Sequence, residues 1–295
     1  MSATKVNASR SPALALRRMN SADIPAAHEL RRLANWNQTR LDWAGYLAFE
    51  PQGCWVAEQG GEVVGTATTV TYGKRAGWIG MVLVHPGRRR GGIGTALLRA
   101  ALDYLVQQGV GCIKLDATPM GRPVYLPLGF KDEYAVSRYE AVVPAGINFT
   151  PDAAPLTAAD LSAVCAFDEP IFGAERSRIL QALSRRNPQW CFVVRNQGNV
   201  AGYLIAREGE QAVQIGPWLA RDATAGEVLL RALLSQLAGR RVFVDGPHPN
   251  AAVAGMMTKY GFTVQRSFLR MGRGDQEVAV GLPSAVFGTA GAEKG

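Results

Sequence analysis

The chain has 295 residues, of which 47% are hydrophobic and 19% are charged, and its formal net charge is +8. This balance is typical of a globular protein with a proper core, and the length suits one large domain or two of about 150 residues. The apolar runs are shorter than the roughly 18 residues that a membrane helix needs. The polar stretch Met1–Pro12 lacks the apolar segment of a secretory signal, so we expect a cytoplasmic protein that does not bind membranes.

Cysteine and histidine usage argues against a metal site. The chain has three histidines, and the spacing of its four cysteines shows no pairing, so we expect reduced thiols and no metal. The positive charge favours an anionic partner. Aromatic and basic residues are not interleaved, and the densest basic run is the short Arg88–Arg90. We therefore expect a smaller anion than nucleic acid.

In chain order, strand and helix patterns alternate through the first half. Asn20 and Ser21 offer a helix N-cap just ahead of Pro25. The residue spacing predicts strands over Cys54–Glu58, Val63–Tyr72, Trp78–Val84 and Cys112–Ala117, a long helix that follows Gly92, and a short helix over Arg122–Leu128. A turn at Gly60-Gly61 joins the first two strands.

The second half repeats this pattern after a stretch rich in proline, alanine and glycine, Val143–Pro155. Its predicted elements are a turn between two strands at Gln197–Gly202, a strand over Val213–Leu219, a helix over Ala223–Leu237 and a strand over Val242–Asp245. A repeat of about 135 residues indicates a duplicated domain. We therefore expect a flexible tail at residues 1–12, a first domain at 13–142, a linker at 143–155, a second domain at 156–285 and a flexible tail at 286–295.

The most informative segment is Val82–Thr95, which predicts a strand, a proline stop, a basic glycine loop and then an amphipathic helix. Glycines let a backbone approach a ligand closely, and the first turn of a helix has N–H groups without partners. Together with the helix dipole these donors suit a pyrophosphate, and arginines add charge-assisted hydrogen bonds. The loop lacks the Lys-Ser/Thr end of a Walker loop and the Gly-x-Gly-x-x-Gly of a dinucleotide fold. A solvated basic turn is the alternative interpretation.

This segment resembles the GNAT superfamily of acetyltransferases. The superfamily's Gln/Arg-x-x-Gly-x-Gly/Ala signature is matched by Arg89, Gly92 and Gly94, and its later Tyr-x-x-x-Gly-Phe element is matched by Tyr125–Phe130. The likeness is strong over residues 14–140 and weaker over 155–272. It implies an α/β fold (α+β in some schemes) of two GNAT-like domains, each a mixed, mostly antiparallel twisted sheet flanked by helices.

The resemblance also implies a cofactor site in the first, catalytic domain, with acetyl-CoA as the cosubstrate. A strand edge would pair with the pantetheine amides, and the loop would hold the pyrophosphate. The implied cofactor residues are Val82, Leu83, Val84, Arg89, Arg90, Gly91, Gly92, Ile93, Gly94 and Thr95. Tyr125 would protonate the departing thiolate, which gains from a nearby acid. The alternative for Tyr125 is a core aromatic with a satisfied hydroxyl.

Two further residues are candidates for proton transfer or positioning. Asp116 lies on the strand beside the expected thioester, where it either positions water or substrate as a catalytic residue or holds backbone donors at the strand end. His85 has a suitable intrinsic pKa for a base, but its place before a proline favours the surface. The superfamily has no fixed general base.

We expect the acceptor pocket between the two domains, lined by Trp36 and Trp43 from the first and by Phe172 and Arg176 from the second. Aromatic faces suit a cationic amine. The alternative is that these side chains fill the domain interface. In the second copy, Gly216–Gly226 replaces the basic loop without the Arg-x-x-Gly-x-Gly signature, so we expect that this copy keeps the fold and lacks the cofactor site.

The leading functional hypothesis is an N-acetyltransferase that moves acetyl from acetyl-CoA to a primary amine of a small metabolite. One alternative is acetylation of a protein N-terminus or lysine, which an open peptide groove would favour. The other is a non-catalytic acyl-CoA sensor. The expected partners are the small-molecule amine and no nucleic acid or membrane, and the expected state is a monomer or a homodimer.

Overall fold

A computed structural model describes residues 13–144 and 153–295. The strands are β1 (Leu14–Arg18), β2 (Trp55–Gln59), β3 (Glu62–Tyr72), β4 (Ala76–Val84), β5 (Cys112–Ala117), β6 (Lys131–Val142), β7 (Ala154–Pro155), β8 (Cys191–Asn196), β9 (Asn199–Arg207), β10 (Val213–Ala220), β11 (Arg241–Pro247), β12 (Thr263–Gly274) and β13 (Val286–Gly288). The α-helices are α1 (Ile24–Leu33), α2 (Arg40–Phe49), α3 (Ile93–Gln107), α4 (Arg122–Tyr125), α5 (Leu161–Phe172), α6 (Ser177–Ser184), α7 (Ala223–Leu234) and α8 (Ala252–Lys259). Single 3-10 turns lie at Ser21–Asp23, Pro86–Arg88, Leu126–Leu128, Ala158–Asp160, Pro188–Trp190, Gln276–Ala279 and Pro283–Ala285.

Local signals determine where the first helices begin. The Asn20 side chain accepts a hydrogen bond from the Ala22 N–H at 2.9 Å, and the Asp23 carboxylate accepts one from the Asn20 N–H at 2.9 Å. This capping box starts the turn that leads into α1, which confirms the predicted N-cap. The same reciprocal arrangement of Thr39 and Asp42 starts α2, a helix that the sequence interpretation did not include. The predicted strands of the first half are confirmed, with shifted ends for all except β5.

The strands form one continuous sheet within the described residues, in the order β1-β2-β3-β4-β5-β12-β6-β11-β10-β9-β8-β7 with β13 beside β10. The neighbours β4 and β5 are parallel, as are β10 and β11, and the other neighbours are antiparallel. The two halves therefore repeat one mixed, mostly antiparallel pattern with flanking helices. This confirms the predicted fold class.

The two halves share one sheet because the last long strand of each half pairs with strands of the other half. β12 from the second half pairs with β5, and β6 from the first half pairs with β11. β6 and β12 also pair with each other along most of their length. The two predicted sheets are thus one sheet, and residues of the second half reach the surface beside β5.

The predicted flexible tail at 286–295 is wrong. Its first residues form β13, which pairs antiparallel with β10, and the Phe287 ring lies 5.0 Å from the Trp218 ring. The following residues are buried except for the half-buried Ala292, whose carbonyl accepts a hydrogen bond from Trp78 Nε1 at 2.9 Å. Lys294 Nζ lies next to the Glu293 carboxylate, so the two charges enter the interior together. Residues 286–295 are called the C-terminal segment below.

Other boundaries differ in smaller ways. β7 lies inside the predicted linker, where it pairs with β8, while residues 145–152 and the predicted tail 1–12 lie outside the described residues. Helix α7 ends at Leu234 and not at Leu237, because the chain tightens into a turn in which Leu237 N donates to the Leu234 carbonyl. Within residues 13–144 and 153–295 no helix combines the length and apolar content needed to cross a membrane.

Candidate active site

The first half contains a gap between its two parallel strands. β4 and β5 pair over a short stretch only, in which Ala76–Trp78 of β4 lies opposite Cys112–Lys114 of β5. Beyond that point a cavity of about 700 Å³ opens, lined by residues 79–84 of β4 and by Leu115 and Asp116 of β5. Because β5 no longer covers this edge of β4, no strand of the described residues pairs with the edge along the cavity.

A bulge in β4 shapes the same edge. The register between β3 and β4 shifts between Thr66 and Thr68, and Met81 adopts a left-handed φ of +49°. The Thr66 hydroxyl donates a hydrogen bond of 2.8 Å to the Met81 carbonyl, which fixes the bulge. A bulge of this kind bends the strand and changes the direction in which its backbone groups point. The predicted pantetheine edge, Val82–Val84, follows directly.

The glycine loop closes one end of the cavity. Gly92 caps α3 with a φ of +78° and without a side-chain cap, so the first N–H groups of α3 have no partner within the helix. Arg90 is also left-handed, and Arg89 Nε donates to the Val84 carbonyl at 3.2 Å, which ties the loop to β4. All the predicted cofactor residues except Gly91 line the cavity.

Tyr125 ends α4 and lines the cavity from the side of β5. Its ring packs against Phe130 at 6.1 Å and against Gly121, where an added Cβ would lie 2.9 Å from Cε2. Burial raises the pKa of Tyr125 to about 12, so the hydroxyl is protonated near neutral pH. None of the described residues hydrogen-bonds this hydroxyl. It is therefore a proton donor without an acceptor among those residues.

Asp116 lines the cavity, but both of its oxygens are engaged. Arg270 on β12 donates to them through Nε and Nη2, at 2.8 and 2.9 Å, and its Nη1 donates to the Tyr134 hydroxyl at 2.9 Å. Burial raises the pKa of the Asp116 carboxyl, which Arg270 opposes. The partner of Asp116 is thus a guanidinium and not the backbone donors considered above. His85 is exposed, as its position before a proline predicts.

The connection between α1 and α2 covers the cavity and is fastened to the second half. Trp36 from this connection lines the cavity. The neighbouring Asn37 amide donates to the Ala212 carbonyl at 3.1 Å and accepts from the Gln211 N–H at 3.0 Å. Gln38 donates to Glu293 at 2.8 Å. These contacts hold the connection in place above the sheet.

The structure does not bring the four predicted acceptor residues together. Trp43 has no exposed surface, because it lies on the inner side of α2 with its ring edge-on to Tyr46. Arg176 donates to both oxygens of Asp168 at 2.8 Å, and its guanidinium lies 3.9 Å above the Phe172 ring. Phe172 and Arg176 line a separate cavity of about 30 Å³. Of the four, only Trp36 is at the large cavity.

Several lining residues were missed by sequence reasoning. They come from the exchanged strands and the C-terminal segment, and they are Arg138, Arg266, Phe268, Ala292 and Glu293. Burial would raise the pKa of Glu293, but Lys294 and Arg207 bring it below its ordinary value. Nothing local in the sequence marks these residues, because the pairing of β6 and β12 across the halves and the packing of the C-terminal segment place them here.

The corresponding gap in the second half is filled by the chain itself. β10 and β11 pair over a short stretch only, in which Val213–Ile215 lies opposite Val242–Val244. Further along β10, β13 pairs with Trp218 and Leu219. At the start of α7, the Asp222 carboxylate accepts a hydrogen bond from the Ala225 N–H at 2.9 Å. An acidic cap satisfies a donor and repels anions at this helix start. At the second gap β13 thus lies against β10, and an acidic side chain caps the start of α7.

Comparisons with known proteins identify the family. A model described as Acetyltransferase (GNAT) family matches residues 17–130, and one described as Acetyltransferase (GNAT) domain matches residues 164–280. The chain belongs to the GNAT acetyltransferases. Both halves match, including the second half, where the motifs are weaker. The protein is thus an acyl-CoA-dependent N-acetyltransferase of the tandem GNAT type.

Individual relatives agree with this assignment. The chain is 24% identical over 242 residues to holothin acyltransferase from a Pseudoalteromonas species, covering 82% of this chain and 81% of that one. It is 24% identical over 192 residues to the uncharacterized N-acetyltransferase YitH of Bacillus subtilis, covering 64% and 67%. A putative acetyltransferase from Pyrococcus horikoshii has the same fold, with a TM-score of 0.80, 24% identity and 96% coverage of both chains. A GCN5-related N-acetyltransferase from Sphaerobacter thermophilus has a TM-score of 0.64, 15% identity and coverage of 91% and 96%.

Proposed function

We propose that this GNAT enzyme transfers acetyl from acetyl-CoA to the primary amine of a small metabolite by direct attack. The observation that carries the proposal is that one cavity, in the gap between β4 and β5, brings together the glycine loop, the unpaired edge of β4 and Tyr125. These are the groups needed to hold a pyrophosphate, a pantetheine arm and a departing thiolate.

The first half suits acetyl-CoA better than the second half. Unpaired N–H groups at the start of α3 and the exposed Arg88–Arg90 provide donors and positive charge for the pyrophosphate. The uncovered edge of β4 provides backbone partners for the pantetheine amides. In the second half β13 and Asp222 occupy the equivalent positions. We therefore assign one acetyl-CoA to each chain, in the first half.

The proposed reaction forms a C–N bond and breaks a C–S bond. The amine nitrogen attacks the thioester carbonyl carbon with its lone pair, and the C–S bonding pair leaves with sulfur. Tyr125 gives its proton to that sulfur, and the nitrogen loses a proton that restores the tyrosine through solvent. A tyrosine with a pKa of about 12 is protonated at the start of each cycle, as a general acid must be.

A small acceptor fits the cavity better than a protein acceptor. The wall beyond the glycine loop is built by Trp36, by Phe268 of the exchanged strand and by Ala292 of the C-terminal segment. The connection that carries Trp36 is held to the second half by Asn37. A cavity bounded by both halves encloses a metabolite more readily than a polypeptide.

We also propose a cytoplasmic location and a monomer or homodimer. The four cysteines are free thiols, as in a reducing compartment.

The test is release of free CoA thiol from acetyl-CoA across a panel of small amines, with peptides bearing a free N-terminus or lysine as the competing acceptor class. We expect turnover with one or more small amines and none with the peptides. Tyr125→Phe should lower that turnover by about 10²–10⁴-fold while acetyl-CoA affinity is kept. Turnover confined to peptides would refute the small acceptor, and full turnover in Tyr125→Phe would refute the acid.

A further inference from the structure

One wall of the cavity carries a guanidinium, that of Arg266, which none of the described carboxylates hydrogen-bonds. Arg266, Phe268 and Arg270 alternate along β12, so they project from the same face of the sheet. That face is the one on which Arg270 meets Asp116. Residues of the opposite face, such as Leu115, belong to the core that packs against α3. Arg266 and Phe268 therefore line the cavity on the side away from α3.

The neighbouring arginines on this face are all neutralised. Arg138, which lies opposite Arg266 on β6, donates to both oxygens of Asp245 at 2.7 Å. Arg270 is paired in the same way with Asp116. The hydrogen bond of Arg266 within the described residues runs from its Nε to the neutral Gln265 side chain at 2.9 Å. Burial lowers the pKa of Arg266, and Arg138 lowers it further. Asp245 and Glu140 oppose this shift through their charge, but their carboxylates are hydrogen-bonded to Arg138 and Arg241 and not to Arg266.

The acids that line the cavity cannot supply a partner for this guanidinium. Asp116 is committed to Arg270, and Glu293 is held by Lys294 and Arg207. The half-buried guanidinium of Arg266 thus has open donors toward the cavity. Buried charges in proteins are paired, and a guanidinium matches a carboxylate through two parallel hydrogen bonds.

We infer that the acceptor is an amine that also carries a carboxylate, and that Arg266 binds this carboxylate beside the apolar wall of Phe268 and Trp36. The inference rests on the proposed acetyl transfer in this cavity. A purely cationic acceptor such as a polyamine meets a positive charge there that no carboxylate of the described residues hydrogen-bonds. An amino acid does not, because its carboxylate satisfies Arg266. The same positive charge favours the neutral form of the amine, which is the form that attacks.

The test compares acids with their amides on the CoA-saturated chain by calorimetry. The probes are N-acetylphenylalanine, N-acetylleucine and N-acetyl-β-alanine, each beside its primary amide, so that only the carboxylate changes. We expect the acid of at least one pair to bind about 10- to 100-fold more tightly than its amide. Arg266→Met should abolish this preference, and Arg266→Lys should keep part of it. The matched control Arg99→Met removes an exposed charge of α3 outside the cavity and should change nothing.

The outcomes separate this inference from the proposed function. Equal binding of acid and amide in all three pairs, or an acid preference that survives in Arg266→Met, overturns the assignment. CoA affinity is measured in the same experiment and should be unchanged in every variant. If CoA binds and amines are acetylated but no acid preference exists, the role of Arg266 is refuted while acetyl transfer stands. If CoA does not bind to the wild-type chain, the proposed function itself fails.

Discussion

Gly121→Ala tests whether the position of the Tyr125 ring matters for turnover. An added Cβ at residue 121 would lie 2.9 Å from Cε2 of Tyr125 and 3.1 Å from its hydroxyl, whereas ordinary contact begins at 3.4 Å. The ring must therefore move by roughly 0.5 Å or more. A misplacement of about 1 Å costs on the order of 10²-fold in rate, so we expect kcat to fall about 10- to 100-fold.

Stability should be preserved in this variant. Gly121 has φ −80° and ψ −36°, a conformation that alanine adopts without strain, and a Gly→Ala change at such a site alters stability by no more than about 1 kcal/mol. Gly255→Ala is the matched control, since nothing lies within 4 Å of a Cβ there. It should leave kcat unchanged, and Tm should rise slightly because alanine is favoured over glycine inside a helix by up to about 1 kcal/mol.

The assay is steady-state thiol release in a double-mutant cycle with Tyr125→Phe. If Gly121→Ala acts through the tyrosine hydroxyl, it should lower the kcat of Tyr125→Phe by less than about threefold. A wild-type kcat in Gly121→Ala would refute the reasoning. So would an equal loss in both backgrounds, because the alanine would then act on something other than the proton transfer.

Three further predictions address the loop, the acid and the C-terminal segment. Arg89→Glu should weaken acetyl-CoA binding by about 10- to 100-fold in calorimetry, because it removes a charge-assisted hydrogen bond beside the pyrophosphate; an unchanged Kd would contradict the loop assignment. The alkaline limb of the kcat profile of the wild-type enzyme should lie near pH 12, the pKa of Tyr125, so a fall in kcat centred near pH 8 would exclude Tyr125 as the acid. The pKa of Glu293 is depressed in the folded state, so its contribution to stability is present above the unfolded pKa and is lost as pH falls through the folded value. Urea titrations of Glu293→Gln should therefore show a shallower loss of stability on acidification than the wild type, and parallel curves would argue against a charged Glu293.

The parts of the site that were predicted from sequence depend on local chemistry. The glycine loop, the start of α3 and the Tyr125 element each lie within one short segment, where spacing and helix capping determine the structure. The repeat also showed that the chain is duplicated. The pairing of β13 with β10, at the gap between β10 and β11, agrees with the absence of the Arg-x-x-Gly-x-Gly signature from Gly216–Gly226.

The acceptor wall could not be predicted because it depends on long-range pairing. β6 and β12 are each 12 residues long, and no local pattern indicates that each of them pairs with a strand of the other half. Trp43 was misplaced for a related reason. A tryptophan near a predicted site can face a ligand or the core, and only the orientation of α2 decides between them. The C-terminal segment is rich in glycine and alanine, a composition typical of a flexible tail. Its order comes from long-range contacts, since its first residues form β13 beside β10.

The most direct test of the central claim is calorimetric titration of the full chain with acetyl-CoA. We expect one binding site per chain, and no measurable binding in Gly92→Asp, which places a carboxylate at the start of α3. Gly198→Asp is the matched control, because Gly198 in the second half has a similar φ of +83° and equally open surroundings; its single site should be intact. Two sites in the wild type, or wild-type affinity in Gly92→Asp, would contradict a cofactor site confined to the gap between β4 and β5.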